Sequence, residues 1–220
     1  MAVSEILPEP FAQLQETFEN SSTETLLDVP LENQYENDPL ENGCEVTALS
    51  MLLQYYGYDT NKNQLADLLN YVPVYVTDQL HGNPHDGFVG DITGGFNAMG
   101  VDVEPIAAVA EQIVQEEYQV IASDDTPFAQ IEDIVKQGSP VWTIVTIDFQ
   151  VPEDESFFLF ETANGLIEFN PLCHAAVITG IVGDVVYVND PEGYKDRPVP
   201  KQDLQLIYEK MGRQSLYLRH

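Results

Sequence analysis

The chain has 220 residues, of which 44% are hydrophobic, and this length and composition suit one folded domain with a substantial core. Eight Lys and Arg residues stand against 37 Asp and Glu residues, for a formal net charge of -29. Such a surface repels nucleic-acid phosphates and anionic lipid headgroups, so we expect neither nucleic acid nor a membrane surface as a partner.

The polar, acidic residues 1–27 predict a partly disordered N-terminal arm ahead of a domain over residues 28–220. The first residues lack the basic and long apolar regions of a secretion signal. No apolar run approaches the ~20 residues that span a bilayer. We therefore expect a cytoplasmic location for the chain as it stands, or a secreted or cell-surface location if a signal has been removed.

The stretch NGCEVTALSMLLQYYG predicts a helix that begins beside a cysteine. Asn42 as N-cap with Glu45 three residues on fits a capping box, and apolar residues recur at helical spacing up to Gly57. Cys44 then lies in the first turn, where free N–H groups and the helix dipole favour a thiolate. Gly43 would let a substrate backbone approach the sulfur. The alternative is a cysteine that fills helix packing.

A long glycine-rich loop is predicted over residues 78–100, and such loops often carry function. In this loop Gly87 and Phe88 are candidates for the wall of a substrate cleft, with core packing as the alternative for Phe88. Four side chains could instead ligate a metal, namely His81, His85, Asp86 and Asp91. Gly82 and Pro84 disfavour the helix that this spacing would need, so we expect no metal and no other cofactor.

The remaining segments predict further helices and several strands. Predicted helices cover residues 61–72, 127–138 and 200–212. Predicted strands lie within residues 28–38, 101–109, 139–149, 151–172, 174–191 and 214–219. Because helices come first and mostly antiparallel strands follow, the order indicates an α+β fold. Trp142, in the strand 139–149, is a candidate cleft residue, with core packing as the alternative.

A nucleophilic cysteine needs a base, and His174 opens an apolar strand where it could serve as one. That strand is the first of a hairpin that turns near Gly183-Asp184, and Asn189 and Asp190 end the return strand. A two-residue turn would place Asn189 on the face of His174. A three-residue turn, which we favour, would place Asp190 there, where a carboxylate could orient the imidazole ring.

Amide hydrolysis also needs hydrogen-bond donors for the developing oxyanion. The backbone N–H of Cys44 is one candidate, and the side-chain amide of Gln34 is the second. A surface polar residue is the alternative interpretation of Gln34. Cys173 could form a disulfide with Cys44, but two cysteines make no disulfide framework, and we expect both to be free.

Taken in chain order, these motifs resemble the stand-alone C39-like relatives of the bacteriocin-leader-processing (double-glycine) papain-like cysteine peptidases. The matching segments are NGCEVTALSMLLQYYG, GNPHDGFVGD, GSPVWTIVT, HAAVITG and VYVNDP. The resemblance implies a papain-like α+β fold, with a helical half that carries the nucleophile packed on an antiparallel sheet. By motif it implies Cys44 as nucleophile, His174 as general base and acid, and Asp190 as the orienting residue. Gln34 corresponds more loosely to the oxyanion glutamine because a loop separates it from Gly43.

We therefore predict a cysteine peptidase that hydrolyses a peptide or amide bond in a peptide or protein substrate through an acyl-enzyme. One alternative is a catalytically silent peptidase-like domain that binds peptides or cell-wall fragments. A weaker one is an acyl- or amide-transferring enzyme that uses the same residues.

Overall fold

A computed structural model describes residues 25–220 of the chain. In chain order its elements are β1 (Thr25–Leu26), α1 (Cys44–Tyr55), α2 (Lys62–Leu68), β2 (Tyr71–Val72), β3 (Phe88–Gly90), β4 (Ala98–Gly100), α3 (Val103–Ile113), β5 (Gln119–Ser123), α4 (Phe128–Lys136), β6 (Val141–Thr146), a 3₁₀ turn (Asp154–Ser156), β7 (Phe158–Thr162), β8 (Gly165–Phe169), β9 (Cys173–Val182), β10 (Val185–Asp190), β11 (Tyr194–Pro200), α5 (Lys201–Lys210) and β12 (Ser215–Arg219).

The largest sheet of the described chain has seven strands, in the order β11-β10-β9-β6-β12-β5 with β1 added beside β9. All its strand pairs are antiparallel. Helix α1 packs on β9 and β6 and also contacts α2 and α3. Every residue from Cys44 to Leu53 in α1 is buried, so this helix forms the centre of the core. The predicted α+β class, a helical half on an antiparallel sheet, is confirmed.

Two smaller sheets lie beside the large one. Strands β2, β3 and β4 form one of them. β3 and β4 lie within the segment that the sequence presents as a glycine-rich loop, whereas β2 occupies the end of the segment 61–72 that was predicted to be helical throughout. Strands β7 and β8 form a separate hairpin that turns at Ala163-Asn164. No helix in residues 25–220 has the length and apolar character that crossing a bilayer requires.

The segment 101–109, predicted to be a strand, is instead the start of α3. Its buried residues Val103, Ile106 and Val109 recur every three positions, which is a helical stripe. Pro105 is tolerated because it lies in the first helical turn, where its missing N–H has no intrahelical partner. The many valines and alternating acids of this segment explain why a strand is predicted from sequence.

Strands β5 and β11 are not predicted from the sequence, and both are edge strands of the large sheet. An edge strand packs against fewer neighbours than a central one, so it needs fewer apolar residues. β11 carries three charged residues and two prolines, a composition that edge strands accept. Residues 25–27 of the predicted arm join the sheet through β9. Residues 1–24 lie outside the described residues.

The turn between β9 and β10 has two residues, so the predicted three-residue turn is wrong. Val182 pairs with Val185 across Gly183-Asp184. Gly183 has φ of +57°, a backbone conformation that glycine adopts without steric cost and that two-residue hairpin turns require.

A β-bulge in β9 nevertheless produces the register that we favoured at the far end of the hairpin. Tyr187 pairs with Gly180, but the next residue, Val188, pairs with Ile178, which leaves Thr179 as the extra residue. The bulge therefore shifts the register by one residue and turns Asp190 toward the face of His174.

Candidate active site

Helix α1 begins at Cys44, with Gly43 as its N-cap, so the predicted Asn42–Glu45 capping box is wrong. The Asn42 side chain instead donates hydrogen bonds to the carbonyls of Asp91 and Gly95, which ties the glycine-rich segment to the helix start. The side chain of Glu45 is buried and turns toward the cysteine.

Packing alone accounts for the glycine at position 43. A Cβ on Gly43 would lie 2.5 Å from Cβ of Leu40, far closer than two carbon atoms can approach. The residue therefore lets the preceding loop fold tightly onto the first turn of α1, and this need is separate from the predicted approach of a substrate backbone.

The thiol of Cys44 is buried beside a carboxyl group. Cys44 is 8% exposed, and its Sγ donates to Oε2 of Glu45 at 3.2 Å. The other oxygen of Glu45 accepts from the backbone N–H of Val101 at 3.2 Å. Burial raises the pKa of the Cys44 thiol well above its ordinary value, and the negative charge of Glu45 raises it further. Both effects oppose the thiolate that the sequence predicts at this helix start.

His174 is held by a carboxylate at the start of β9. Its Nε2 lies 2.9 Å from Oδ1 of Asp190, and the side chains are 2% and 0% exposed respectively. This hydrogen bond leaves Nδ1 as the ring nitrogen that can exchange a proton with another group. Asn189 contacts other groups, because its amide donates to the carbonyls of Val29 and Pro30.

Asp190 is surrounded by donors that stabilise its charge. Oδ1 also accepts the backbone N–H of Glu192 at 2.9 Å, and Oδ2 accepts Nη1 of Arg197 at 2.8 Å. Burial alone would raise the pKa of Asp190, but the hydrogen bonds and charges of His174, Glu192 N–H and Arg197 together hold it below its ordinary value. The carboxylate is therefore ionised across the neutral pH range.

Cys44 and His174 line the same cavity, which has a volume of about 160 Å³. The cavity lies between the start of α1 and the start of β9, and the segments that precede these two elements also line it. Its other lining residues are Gln34, Glu41, Asn42, Glu45, Ala98, Met99, Gly100, Ile147, Phe169, Pro171 and Cys173. Both cysteines carry free thiols.

Gln34 reaches this cavity from the loop that precedes α1. It is 3% exposed, and its Nε2 donates to the carbonyl of Glu41 at 2.9 Å. Its Oε1 is buried without a hydrogen-bond partner. The amide group has two N–H donors, and only one of them bonds to Glu41. The second can donate to a group in the cavity. The backbone of Leu40 bonds to the carbonyl of Gln34 and closes the intervening loop.

Three other predicted cleft residues lie away from the cavity. Phe88 and Trp142 are fully buried in the core, which is the alternative that the sequence left open for both. Trp142 still affects the site, because its Nε1 donates to the backbone carbonyl of Glu45 at 3.0 Å. At Gly87 a Cβ would lie 2.6 Å from the carbonyl oxygen of Asn70, so this glycine permits a close backbone contact.

The histidines of the alternative metal cluster have separate partners. His81 packs between the rings of Tyr75 and Phe160. His85 bonds through Nδ1 to Glu104 at 3.0 Å and through Nε2 to Asp102 at 3.2 Å. These contacts connect the loop around His85 to the start of α3.

Sequence reasoning missed three contributors to the site, namely Phe149, Arg197 and the carboxyl group of Glu45. The sequence holds a signal for Arg197. Basic residues are rare in this chain, with only eight in total, and one of them lies seven positions after Asp190. Glu45 was interpreted as half of a capping box. Phe149 lies 6.3 Å from the ring of His174, and nothing in the sequence marks that proximity.

The large antiparallel sheet, with a cysteine at the mouth of the helix packed on it, defines the papain-like peptidase fold. Residues 26–216 match the Peptidase_C39 like family, and the chain belongs to this family. It is 36% identical over 193 residues to the uncharacterized protein YvpB of Bacillus subtilis, covering 88% of this chain and 75% of YvpB.

Two solved structures are also similar. A candidate C39-like peptidase from Bacillus anthracis superposes with a TM-score of 0.82 at 29% identity, covering 90% of this chain and 98% of that one. A double glycine motif protease from an AMS/PCAT transporter, solved with the leader peptide, has a TM-score of 0.48 and 16% identity, covering 90% and 96%. The family and the fold support a peptidase-type function.

Proposed function

We propose that this protein is a cysteine peptidase that hydrolyses a peptide or amide bond through Cys44, His174 and Asp190. The observation that carries the proposal is the shared cavity. Cys44 and His174 both line it, and a buried carboxylate fixes the Nε2 of the imidazole, which would leave Nδ1 to act on the thiol.

The raised pKa of Cys44 determines the order of the proton transfers. The resting thiol is protonated, so His174 removes its proton as the sulfur attacks the carbonyl carbon. The backbone N–H of Cys44 and the free N–H of Gln34 are the donors for the oxyanion. His174 then protonates the leaving amine, and water releases the acyl group from the thioester and regenerates the thiol.

The substrate is a peptide or protein whose charge is neutral or positive, because the formal charge of this chain is -29. The same residues would also serve acyl transfer if an amine replaced water in the second step.

The test is digestion of a mixed peptide library, with products identified by mass spectrometry. We expect Cys44→Ala to abolish cleavage while its circular dichroism spectrum stays that of the parent chain. Cys173→Ala is the matched control, because it removes a thiol that lines the same cavity. Cleavage that survives in Cys44→Ala would exclude this cysteine from the mechanism.

The second candidate is a peptidase-like domain that binds peptides without cutting them. The observation in its favour is that Cys44 is only 8% exposed and that its thiol is hydrogen-bonded to Glu45. Saturable peptide binding by the unmodified chain, with no Cys44-dependent product after prolonged incubation, would support this candidate over the peptidase.

A further inference from the structure

We propose that Arg197, seated on the ring of Phe149, is a positioning residue that acts through Asp190 on His174. This inference deepens the proposed peptidase function and rests on it. It concerns two side chains on different elements, β11 and the loop after β6, that meet behind the candidate catalytic histidine.

The guanidinium of Arg197 completes the hydrogen bonding of a carboxylate that has no access to water. Asp190 is 0% exposed, and its Oδ1 is shared by His174 and the N–H of Glu192. Nη1 of Arg197 is the donor to Oδ2, at 2.8 Å. Without this donor, Oδ2 would be a buried acceptor of full charge, and Asp190 would rotate or take up a proton to relieve it.

Phe149 holds Arg197 in place from the opposite side. The guanidinium carbon lies 4.4 Å from the centroid of the Phe149 ring, a distance typical of a cation–π contact. The same ring meets His174 at 6.3 Å and 85°, an edge-to-face arrangement. One aromatic ring therefore contacts both ends of the His174–Asp190–Arg197 chain of hydrogen bonds.

The backbone at Phe149 indicates that the ring serves a purpose there. Its φ is +54°, which is unfavourable for a bulky residue and is usually occupied by glycine, asparagine or aspartate. Such strain costs on the order of 1–3 kcal/mol and persists only where the surroundings compensate for it. The side chain is buried against Arg197 and His174, so these contacts offset the strain together with the turn hydrogen bond from the N–H of Phe149 to the carbonyl of Thr146.

The experiment compares Arg197→Gln, Arg197→Lys and Phe149→Leu with the unsubstituted chain. Steady-state kinetics are measured on a peptide that the library digestion identifies. The His174 ring is observed by ¹⁵N NMR of the full chain labelled at histidine, with His174→Asn for assignment. Lys195→Gln is the matched control, because Lys195 lies on the same strand and pairs with Asp28 instead of Asp190.

We expect Arg197→Gln to lower kcat by about 10- to 100-fold with KM nearly unchanged, because misplacing a catalytic group costs rates of this order. Arg197→Lys recovers most of kcat because it keeps the charge and one donor. Phe149→Leu gives an intermediate loss. The ¹⁵N signals of His174 change in Arg197→Gln and stay constant in Lys195→Gln.

An Arg197→Gln variant with unchanged kcat and unchanged His174 signals would overturn the positioning role. So would a kcat loss that Arg197→Lys fails to reduce while all ring signals stay constant, since that pattern belongs to a structural role. If no Cys44-dependent hydrolysis is found, the NMR comparison alone decides the role of Arg197. The failure of the peptidase proposal is thus a separate result.

Discussion

Cys44 and Glu45 are adjacent in the first turn of α1, and their side chains meet in the cavity at 3.2 Å. The carboxylate accepts the S–H hydrogen bond and opposes loss of the proton, because a thiolate would place two negative charges side by side. Burial raises the pKa of Glu45 as well, so the interior disfavours two negative charges on this pair. In the proposed mechanism Glu45 keeps the resting thiol protonated until His174 removes the proton.

Glu45→Gln should make Cys44 more reactive. Removing the negative charge lowers the thiol pKa, and each unit of that shift gives about tenfold more thiolate at neutral pH. The measurement is the rate of iodoacetamide alkylation at Cys44 between pH 6 and 9, followed by peptide mass mapping, and the pH midpoint should move down. Glu41→Gln is the control, because Glu41 lines the cavity without contacting the thiol. Equal or slower alkylation in Glu45→Gln would show that the carboxylate does not retain the proton.

At the scale of elements, the site depends on a loop that only tertiary contacts hold. The loop over residues 34–43 brings Gln34 to the cavity, and Asn37 and Asp38 in it have positive φ. Lys62, at the start of α2, is 2% exposed and donates from its ammonium group to the carbonyls of Glu36 and Asn37. A buried lysine in a chain with so few cations indicates that this loop must be fixed.

Lys62→Met should loosen that loop and weaken catalysis through Gln34. The substitution keeps most of the buried hydrocarbon but removes the charged donor, with an expected loss of unfolding free energy of ~1–3 kcal/mol. Urea unfolding gives the stability, and hydrogen exchange over residues 34–43 gives the local opening. Lys136→Met is the comparison, because Lys136 is exposed and forms a surface ion pair with the partly covered Glu132, worth ~0–1 kcal/mol. Unchanged hydrogen exchange over residues 34–43 in Lys62→Met would mean that the loop keeps its conformation without Lys62.

The whole molecule carries its negative charge almost without compensation. All eight basic residues are within residues 25–220, and six of them form ion pairs: Lys136, Lys195, Arg197, Lys201, Lys210 and Arg213. Lys62 bonds to backbone carbonyls, and Arg219 bonds to the side chain of Gln119. The remaining carboxylates set up a field that attracts cations over a distance of about 10 Å at 0.1 M salt.

This field should act on substrate capture. For a lysine-containing peptide that the enzyme cleaves, kcat/KM should fall severalfold between 50 and 500 mM NaCl, because salt screens the attraction. The same peptide with acetylated lysines is the control, and its kcat/KM should change little. A parallel fall for both peptides would place the salt effect on the enzyme itself instead of on the encounter.

Much of the fold follows from the sequence, because local physical chemistry decides it. The apolar spacing of α1, the β-branched run of β6 and the glycine turn of the β9–β10 hairpin each fix an element without help from distant residues. Motif order led from there to the Peptidase_C39 like family and its α+β fold. The sequence singles out Cys44 and His174 for the same reason, since each lies at the end of a strongly patterned element, and both line one cavity in the structure.

Tertiary structure decided what local pattern cannot express. The bulge at Thr179, and not the length of the turn, directs Asp190 to His174, because a register shift arises from pairing between strands. Burial, which no short segment determines, reversed the expected ionisation of Cys44 and placed Trp142 in the core. Arg197 and Phe149 come from separate elements and meet only when the sheet is complete, so their contact with the histidine pair belongs to the folded molecule alone.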